Sequence, residues 1–205
     1  METLSLEMDR QTKHGITHKP WAHDTATPEV RFSIAHNEEA IFLRYEVKEK
    51  QTRATYFNIN DAVYEDSCVE FFIAFHGESS YYNLEFNCLG TPRIAYGPDR
   101  HNRKFIDPEL ISNVKSQLKL TKGVAEQVNW TLLLKIPLTV FGFHPGLSLT
   151  GTAARLNFYK CGDALPDPHY LSYSNIISAT PDFHLPQFFQ AAKFSARNKN
   201  IETSL

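Results

Sequence analysis

The feature that most constrains this chain is strict alternation of apolar and polar residues, repeated in many short stretches. "AIFLRYEV" (40–47) sets Ile41, Leu43, Tyr45 and Val47 on one face and Arg44 and Glu46 on the other. "QVNWTLLLKIP" (127–137) does the same with Val128, Trp130, Leu132, Leu134 and Ile136. Side chains alternate with period two only in a strand, so each stretch predicts a β-strand with one buried face. Further strands are predicted at 30–36, 68–75, 81–88, 93–97, 116–121, 152–162, 168–176 and 187–195, with turn-forming "HGESS" and "LGTP" among the separators. Residues 98–113 break the alternation and read as a long excursion. "LTVFGFHPG" reads as a turn of helix and a loop. Nine or ten short strands with little helix predict an all-β protein: one antiparallel β-sandwich or jelly roll. It is expected over residues 21–196, after an irregular lead-in with short extended pieces (1–20) and before a tail (197–205).

Composition excludes several functions. A net charge of −2 over 205 residues, without a basic run, gives no footing for nucleic acid. No apolar run approaches the roughly 18 residues of a membrane helix, so no membrane insertion is expected. No apolar leader segment is visible either, which suits a cytosolic protein or an exported one in its mature form. Three cysteines, none at C-x-x-C spacing, argue against a disulfide framework or zinc ribbon. Fifteen Phe, nine Tyr and two Trp suit a sheet core, with some Tyr and Trp left to stack on ring-shaped ligands.

"YEDSCVEFFI" (64–73) places a carboxylate in the middle of an apolar strand. Alternation puts Val69, Phe71, Ile73 and Phe75 on the core face and Glu70 on the other. In 81–88 the core face takes Tyr82, Leu84, Phe86 and Cys88, which leaves Tyr81, Asn83, Glu85 and Asn87 opposite. A hairpin closed through "GESS" with His76 opposite Tyr81 keeps like faces together and sets Glu70 against Asn87 and Phe72 against Glu85. The outer face then carries a patch of carboxylates, amides and Tyr, groups that grip sugar hydroxyls. It can equally be read as a solvated face of cross-strand polar pairs. Late in the chain "AARLNFY" puts Arg155, Asn157 and Tyr159 on one face, where Arg155 would answer Glu70 or Glu85 or touch a ligand.

Together "VYEDSCVEFFI" (63–73), "YYNLEFNCLG" (81–90), "VNWTLLLKIP" (128–137), "RLNFYKCGD" (155–163), "PHYLSYSNI" (168–176) and "PDFHLPQFF" (181–189) resemble the family 9 carbohydrate-binding modules and their bacterial, DOMON-like relatives. The resemblance spans roughly residues 20–195. It implies non-catalytic binding of a mono- or oligosaccharide, with the terminal sugar sandwiched between two aromatics and its hydroxyls held by polar strand residues. By that resemblance Tyr64 and Tyr173 stand where the family has tryptophans, and Glu70 matches the motif glutamate. Glu85-Phe86-Asn87 falls on an Arg-x-Asn pair, with asparagine kept and arginine replaced. The expected ligand-binding set is therefore Tyr64, Glu70, Glu85, Asn87, Arg155 and Tyr173. The rival is an interaction module that kept the fold and lost the sugar site.

Glu70 and Glu85 would lie diagonally across the expected hairpin, about 7–8 Å apart at Cβ. That spacing falls within the range of about 5–9.5 Å for glycosidase carboxyl pairs, yet nothing in the sequence separates the two acidities into acid and base roles. Haem ligation through Met and His, known in the DOMON-like group, is disfavoured because Met1 and Met8 both fall in the lead-in. His14 and His18 are four apart but flanked by Gly15 and Pro20, which argues for a loop rather than a metal-binding helix. No cofactor is required. "NIND" (58–61) with "YED" (64–66) offers Asp61 and Asp66 for a structural Ca²⁺, or else forms a turn-making acidic loop.

Overall fold

A computed structural model describes residues 4–6, 12–21, 27–123 and 127–195. Two sheets pack face to face. One contains β1 (Leu4–Leu6), β13 (Gln190–Phe194), β11 (Ala153–Cys161), β5 (Cys68–Phe75), β6 (Tyr81–Asn87), β7 (Pro92–Gly97) and β8 (Lys104–Phe105) in that order, with β12 (Tyr170–Ser172) also on β11. The other runs β2 (His14–Gly15), β3 (Glu29–His36), β4 (Ala40–Glu49), β10 (Val128–Pro137), β9 (Lys115–Lys122). Every pairing is antiparallel except β1 on β13. The expected sandwich is present, and the extended pieces of the lead-in extend both sheets. Among the described residues thirteen strands replace nine or ten because several are only two or three residues long. The expected tail 197–205 lies outside the described residues. Among the described residues no helix is long and apolar enough to cross a membrane.

The alternation places the core as expected. Ile41, Leu43, Tyr45 and Val47 of β4, Trp130, Leu132, Leu134 and Ile136 of β10, and Val69, Phe71, Ile73 and Phe75 of β5 are all buried in one cluster between the sheets. Phe158 of β11 stacks between Phe32 of the opposite sheet and Phe71 of its own, at ring-centroid distances of 3.7 and 4.9 Å. Each large apolar side chain removed from water there contributes about 1.5–3 kcal/mol.

The outer face of the first sheet is not solvated. Every residue of β5 and of β6 is buried, on both faces. Stretches after β11 that carry Ile176, Phe183 and Phe189, together with the 3-10 turn Val63–Glu65, lie over that face, and a second apolar cluster fills the gap. Tyr159, Phe183 and Phe72 belong to it, with Tyr159 and Phe183 stacked at 4.2 Å. A face buried this way cannot be a plain display of solvated polar pairs. Its polar groups must find partners inside the protein or line an opening.

The hairpin register also differs from expectation. Glu70 pairs with Glu85, Phe72 with Asn83 and Cys68 with Asn87, two residues away from the expected alignment. His76 (φ 51°) and Gly77 (φ 76°) turn the chain in the left-handed region directly after β5, and the loop extends to Ser80. A shift of two leaves every side chain on its face, so the hydrophobic pattern alone fixes the face but not the partner.

Candidate functional site

Over this outer face the covering loops leave a cleft of about 230 Å³, lined among others by Tyr64, Glu70, Glu85, Arg93, Arg103 and His184. Its floor is sheet. Glu70 and Glu85 lie directly opposite one another on β5 and β6, and Arg93 of β7 lies opposite Glu85 on its other side. Glu85 Oε1 accepts from Asn83 Nδ2 at 2.8 Å and from Arg103 Nη1 at 3.2 Å, while its Oε2 lies 3.7 Å from Arg93 Nε. Neither that Oε2 nor that Nε has a hydrogen-bond partner, although both are buried.

Arg103 reaches the floor because of the loop before it. A Cβ at Gly97 would meet Asn102 O at 2.4 Å and Arg103 Cα at 2.5 Å, so only glycine lets the chain fold back here. Asp99 then closes the loop by accepting from the backbone N–H groups of His101 and Asn102, both at 2.8 Å. The Asn102 side-chain amide, then those same backbone bonds, hold its carboxyl below the ordinary range. Tyr64 forms one wall from the 3-10 turn. Asp163 and Ala164 donate their N–H groups to the carbonyls of Tyr64 and Glu65, both at 3.1 Å, which ties that wall to the chain after β11. The Arg93 guanidinium sits 5.6 Å from the Tyr64 ring and 4.8 Å from the half-exposed Phe105 ring, bridging two aromatics.

The two carboxyls have different surroundings. Burial, then the neighbouring Glu85, pushes Glu70 well above the ordinary carboxyl range, and a Cys161 thiol donor at 3.1 Å offsets this only in part. Burial also raises Glu85, but Arg103 and Arg93 oppose it. The two carboxyls titrate as a coupled pair, with Glu70 raised more strongly than Glu85. This is the environmental difference that the sequence did not reveal. It does not make Glu85 a free base, because two guanidiniums already hold it.

His184 completes the far wall. Arg103 approaches its Nε2 at 3.4 Å, so that nitrogen must accept, and Nδ1–H donates to Tyr81 Oη at 2.8 Å. Burial, then the guanidinium of Arg103, pushes this histidine down to about 2 and keeps it neutral.

Of the six expected ligand residues, Tyr64, Glu70 and Glu85 meet in the cleft. Asn87 does not: its amide donates to Tyr56 O and Asp66 Oδ2 and its oxygen accepts from Leu89 and Thr91, so it anchors loops. Arg155 answers no carboxylate. It donates to the carbonyls of Pro186 and Glu78 at 3.0 and 2.8 Å, clamping the covering segment. Tyr173 packs edge-on against Phe32 and Phe158, on the core side of the sheet, and cannot face Tyr64. The other aromatics that line the cleft are instead Tyr170 and Phe183.

The proposed calcium ligands do not fit a cation. Asp66 is fully buried, and both its oxygens accept N–H donors, from Arg53, Thr55, Tyr56 and Asn87. Asp61 Oδ2 accepts from Asn58. Oxygens ringed by donors repel a hard cation, so these residues shape the loop before β5. Arg93 was legible, since alternation in "RIAYG" puts it on the face of Glu85. Arg103, Asp163 and His184 gave no such signal because loops deliver them.

A buried, aromatic-walled, carboxyl-and-guanidinium cleft on the outer sheet of a β-sandwich defines a ligand-binding module. The family model for carbohydrate-binding family 9 matches residues 2–194, and the chain belongs to that family. Among solved structures, a protein from Bacteroides uniformis ATCC 8492 described as carbohydrate-binding is 33% identical, with a TM-score of 0.84 over 94% of this chain and 97% of that one. A family 9 carbohydrate-binding module from Caldicellulosiruptor kristjanssonii, solved with cellotriose, is 12% identical at a TM-score of 0.60, covering 100% of this chain and 99% of that one. The same module solved with glucose gives 12% identity and a TM-score of 0.60, over 98% and 100%. At that identity the likeness is one of fold. No curated protein matches the chain.

Proposed function

We propose that this protein binds the terminal unit of a carbohydrate in the cleft above Glu70 and Glu85, without catalysis. The observation that carries this reading is the pairing of a ring wall, Tyr64, with a floor of fixed polar groups: the carboxyls of Glu70 and Glu85 and the guanidiniums of Arg93 and Arg103. A sugar presents an apolar ring face and a rim of hydroxyls, each able to donate and accept, and needs both kinds of surface. The volume, about 230 Å³, lies below the ~300–1,000 Å³ of pockets for drug-sized ligands and suits one or two rings at a chain end. The ligands in the Caldicellulosiruptor structures, glucose and cellotriose, are of that kind. Hydrolysis is not part of this reading, since Glu85 is held by Arg103 rather than poised over a water.

A glycan-array screen followed by calorimetry on mono- and oligosaccharides tests the reading. Binding is expected, and Tyr64→Ala should weaken it roughly 3- to 10-fold through loss of stacking, in a protein that remains folded at a lowered urea midpoint. A well-folded sample that binds no saccharide would instead favour an interaction module with a degenerate site.

A further inference from the structure

Behind the cleft floor lies a group of side chains of which the sugar reading uses only Glu70. Cys68 of β5 and Cys161 of β11 face each other in register, and Glu70 follows two residues after Cys68 on the same face. The two sulfurs and a Glu70 oxygen all lie within 4.8 Å of one another, and all three residues are buried. Among the described residues this is the one group of three or more His, Cys, Asp or Glu side chains placed to hold a metal ion. Cys161 and Glu70 border the cleft, and Glu70 is only 4% exposed.

We propose that Cys68, Glu70 and Cys161 form a binding site for a thiophilic divalent cation such as Zn²⁺, open on its fourth side to the cleft. Tetrahedral Zn²⁺ takes thiolates at about 2.3 Å and a carboxylate oxygen at about 2.0–2.2 Å, which places the three donors roughly 3.5–3.8 Å apart. Cys161 Sγ and Glu70 Oε1 already stand at 3.1 Å, so closing the group around an ion needs only small side-chain rotations. Two sulfurs and one oxygen suit Zn²⁺, Cd²⁺ or Co²⁺ and disfavour Ca²⁺ and Mg²⁺, which want oxygen alone. On binding, the thiol protons and any proton on Glu70 leave to solvent, and the loaded site carries one net negative charge. Arg103 and Arg93, at the neighbouring Glu85, offset it. The cleft supplies the entry path and leaves the fourth position to water or to a hydroxyl of a bound ligand. The cation site stands on these three residues and does not need the sugar.

The test is a titration of the reduced, metal-free full chain with Co²⁺ and Cd²⁺ in the absence of sugar. A one-to-one endpoint is expected, with a thiolate-to-metal charge-transfer absorption that Zn²⁺ displaces. Cys161→Ser should abolish the band and Glu70→Gln should weaken affinity roughly 100-fold or more, whereas Cys88→Ala, altering the third cysteine, should change nothing. No charge-transfer band, a band that survives Cys161→Ser, or one lost in Cys88→Ala overturns the proposal. Should the serine variant fail to fold, X-ray absorption of the zinc-loaded native chain decides. Two sulfurs at about 2.3 Å with oxygen neighbours support the site, and any other sulfur count overturns it. Calorimetry with sugars, run with and without chelator, separates failure of the metal site from failure of the carbohydrate reading.

Discussion

Two of the buried charged groups in this sandwich invite comparison, and only one of them looks like a ligand site. Between the sheets, Lys160 pairs with Glu49 at 2.9 Å, approaches His169 Nε2 at 2.8 Å and donates to Cys161 O at 2.8 Å, while Trp130 donates to Glu49 at 2.7 Å. That group joins β11 of one sheet to β4 and β10 of the other. On the outer face, Glu85, Arg103, Arg93 and His184 form the second group. Both hold a carboxylate between cationic or donor groups, and both keep a histidine neutral beside a cation. The difference is room. Each group leaves a buried carboxylate oxygen, Glu49 Oε2 or Glu85 Oε2, without a hydrogen bond. Lys160 is wholly buried, and Glu49 and His169 border an opening of only about 20 Å³, whereas the second group borders the cleft of about 230 Å³. Buried charge alone therefore does not mark a candidate site here, nor does an unpaired carboxylate oxygen; buried charge beside a cleft large enough for a ligand does.

That contrast breaks first at Lys160. Lys160→Met strands Glu49 in the core and should cost about 3–5 kcal/mol, read as a fall in urea midpoint; Glu49→Gln combined with it should recover much of the loss. Sugar affinity of the folded fraction should not change. Arg103→Ala should do the reverse. Its stability cost is smaller, about 1–3 kcal/mol, because water can enter through the cleft, but calorimetry should show sugar binding weakened beyond detection.

The histidines sharpen the comparison through pH. Burial, then Lys160, pushes His169 down to about 4 from an ordinary 6.5. The unfolded chain takes up a proton near pH 6.5 and the folded chain only near pH 4. The contribution is thus fully present above about 6.5 and is lost as pH falls toward 4. His169→Gln should flatten the slope of denaturation midpoint against pH in that window. The smallest effect belongs to Arg155→Met, expected to cost about 1–2 kcal/mol through two lost carbonyl contacts with sugar affinity nearly unchanged. A large loss of affinity there would return Arg155 to the binding set.

Period-two alternation made the sandwich and its core legible, because only one face of each long strand could be buried. It also put Glu70 and Glu85 on a common face, and the same rule extended to "RIAYG" would have added Arg93. Alternation could not distinguish registers two residues apart, so Asn87 was set opposite Glu70 when the partner is Glu85. Nor could it show that the face is roofed. The roof comes from stretches after β11, whose contacts are non-local, and Arg103 arrives through a fold-back that depends on Gly97. Tyr173 failed as a wall for a related reason: a resemblance fixes order along the chain, not the side of the sheet to which a loop residue turns.

The central claim is that the sugar sits over Glu85 between Tyr64 and the two guanidiniums, and arginine side-chain NMR tests it most directly. Titrating a saccharide that scores on the array should shift the Nε–Hε resonances of Arg93 and Arg103 in a saturable way, and leave the Arg155 and Arg44 signals in place. Saturable binding with Arg93 and Arg103 unmoved would put the ligand elsewhere and contradict the account.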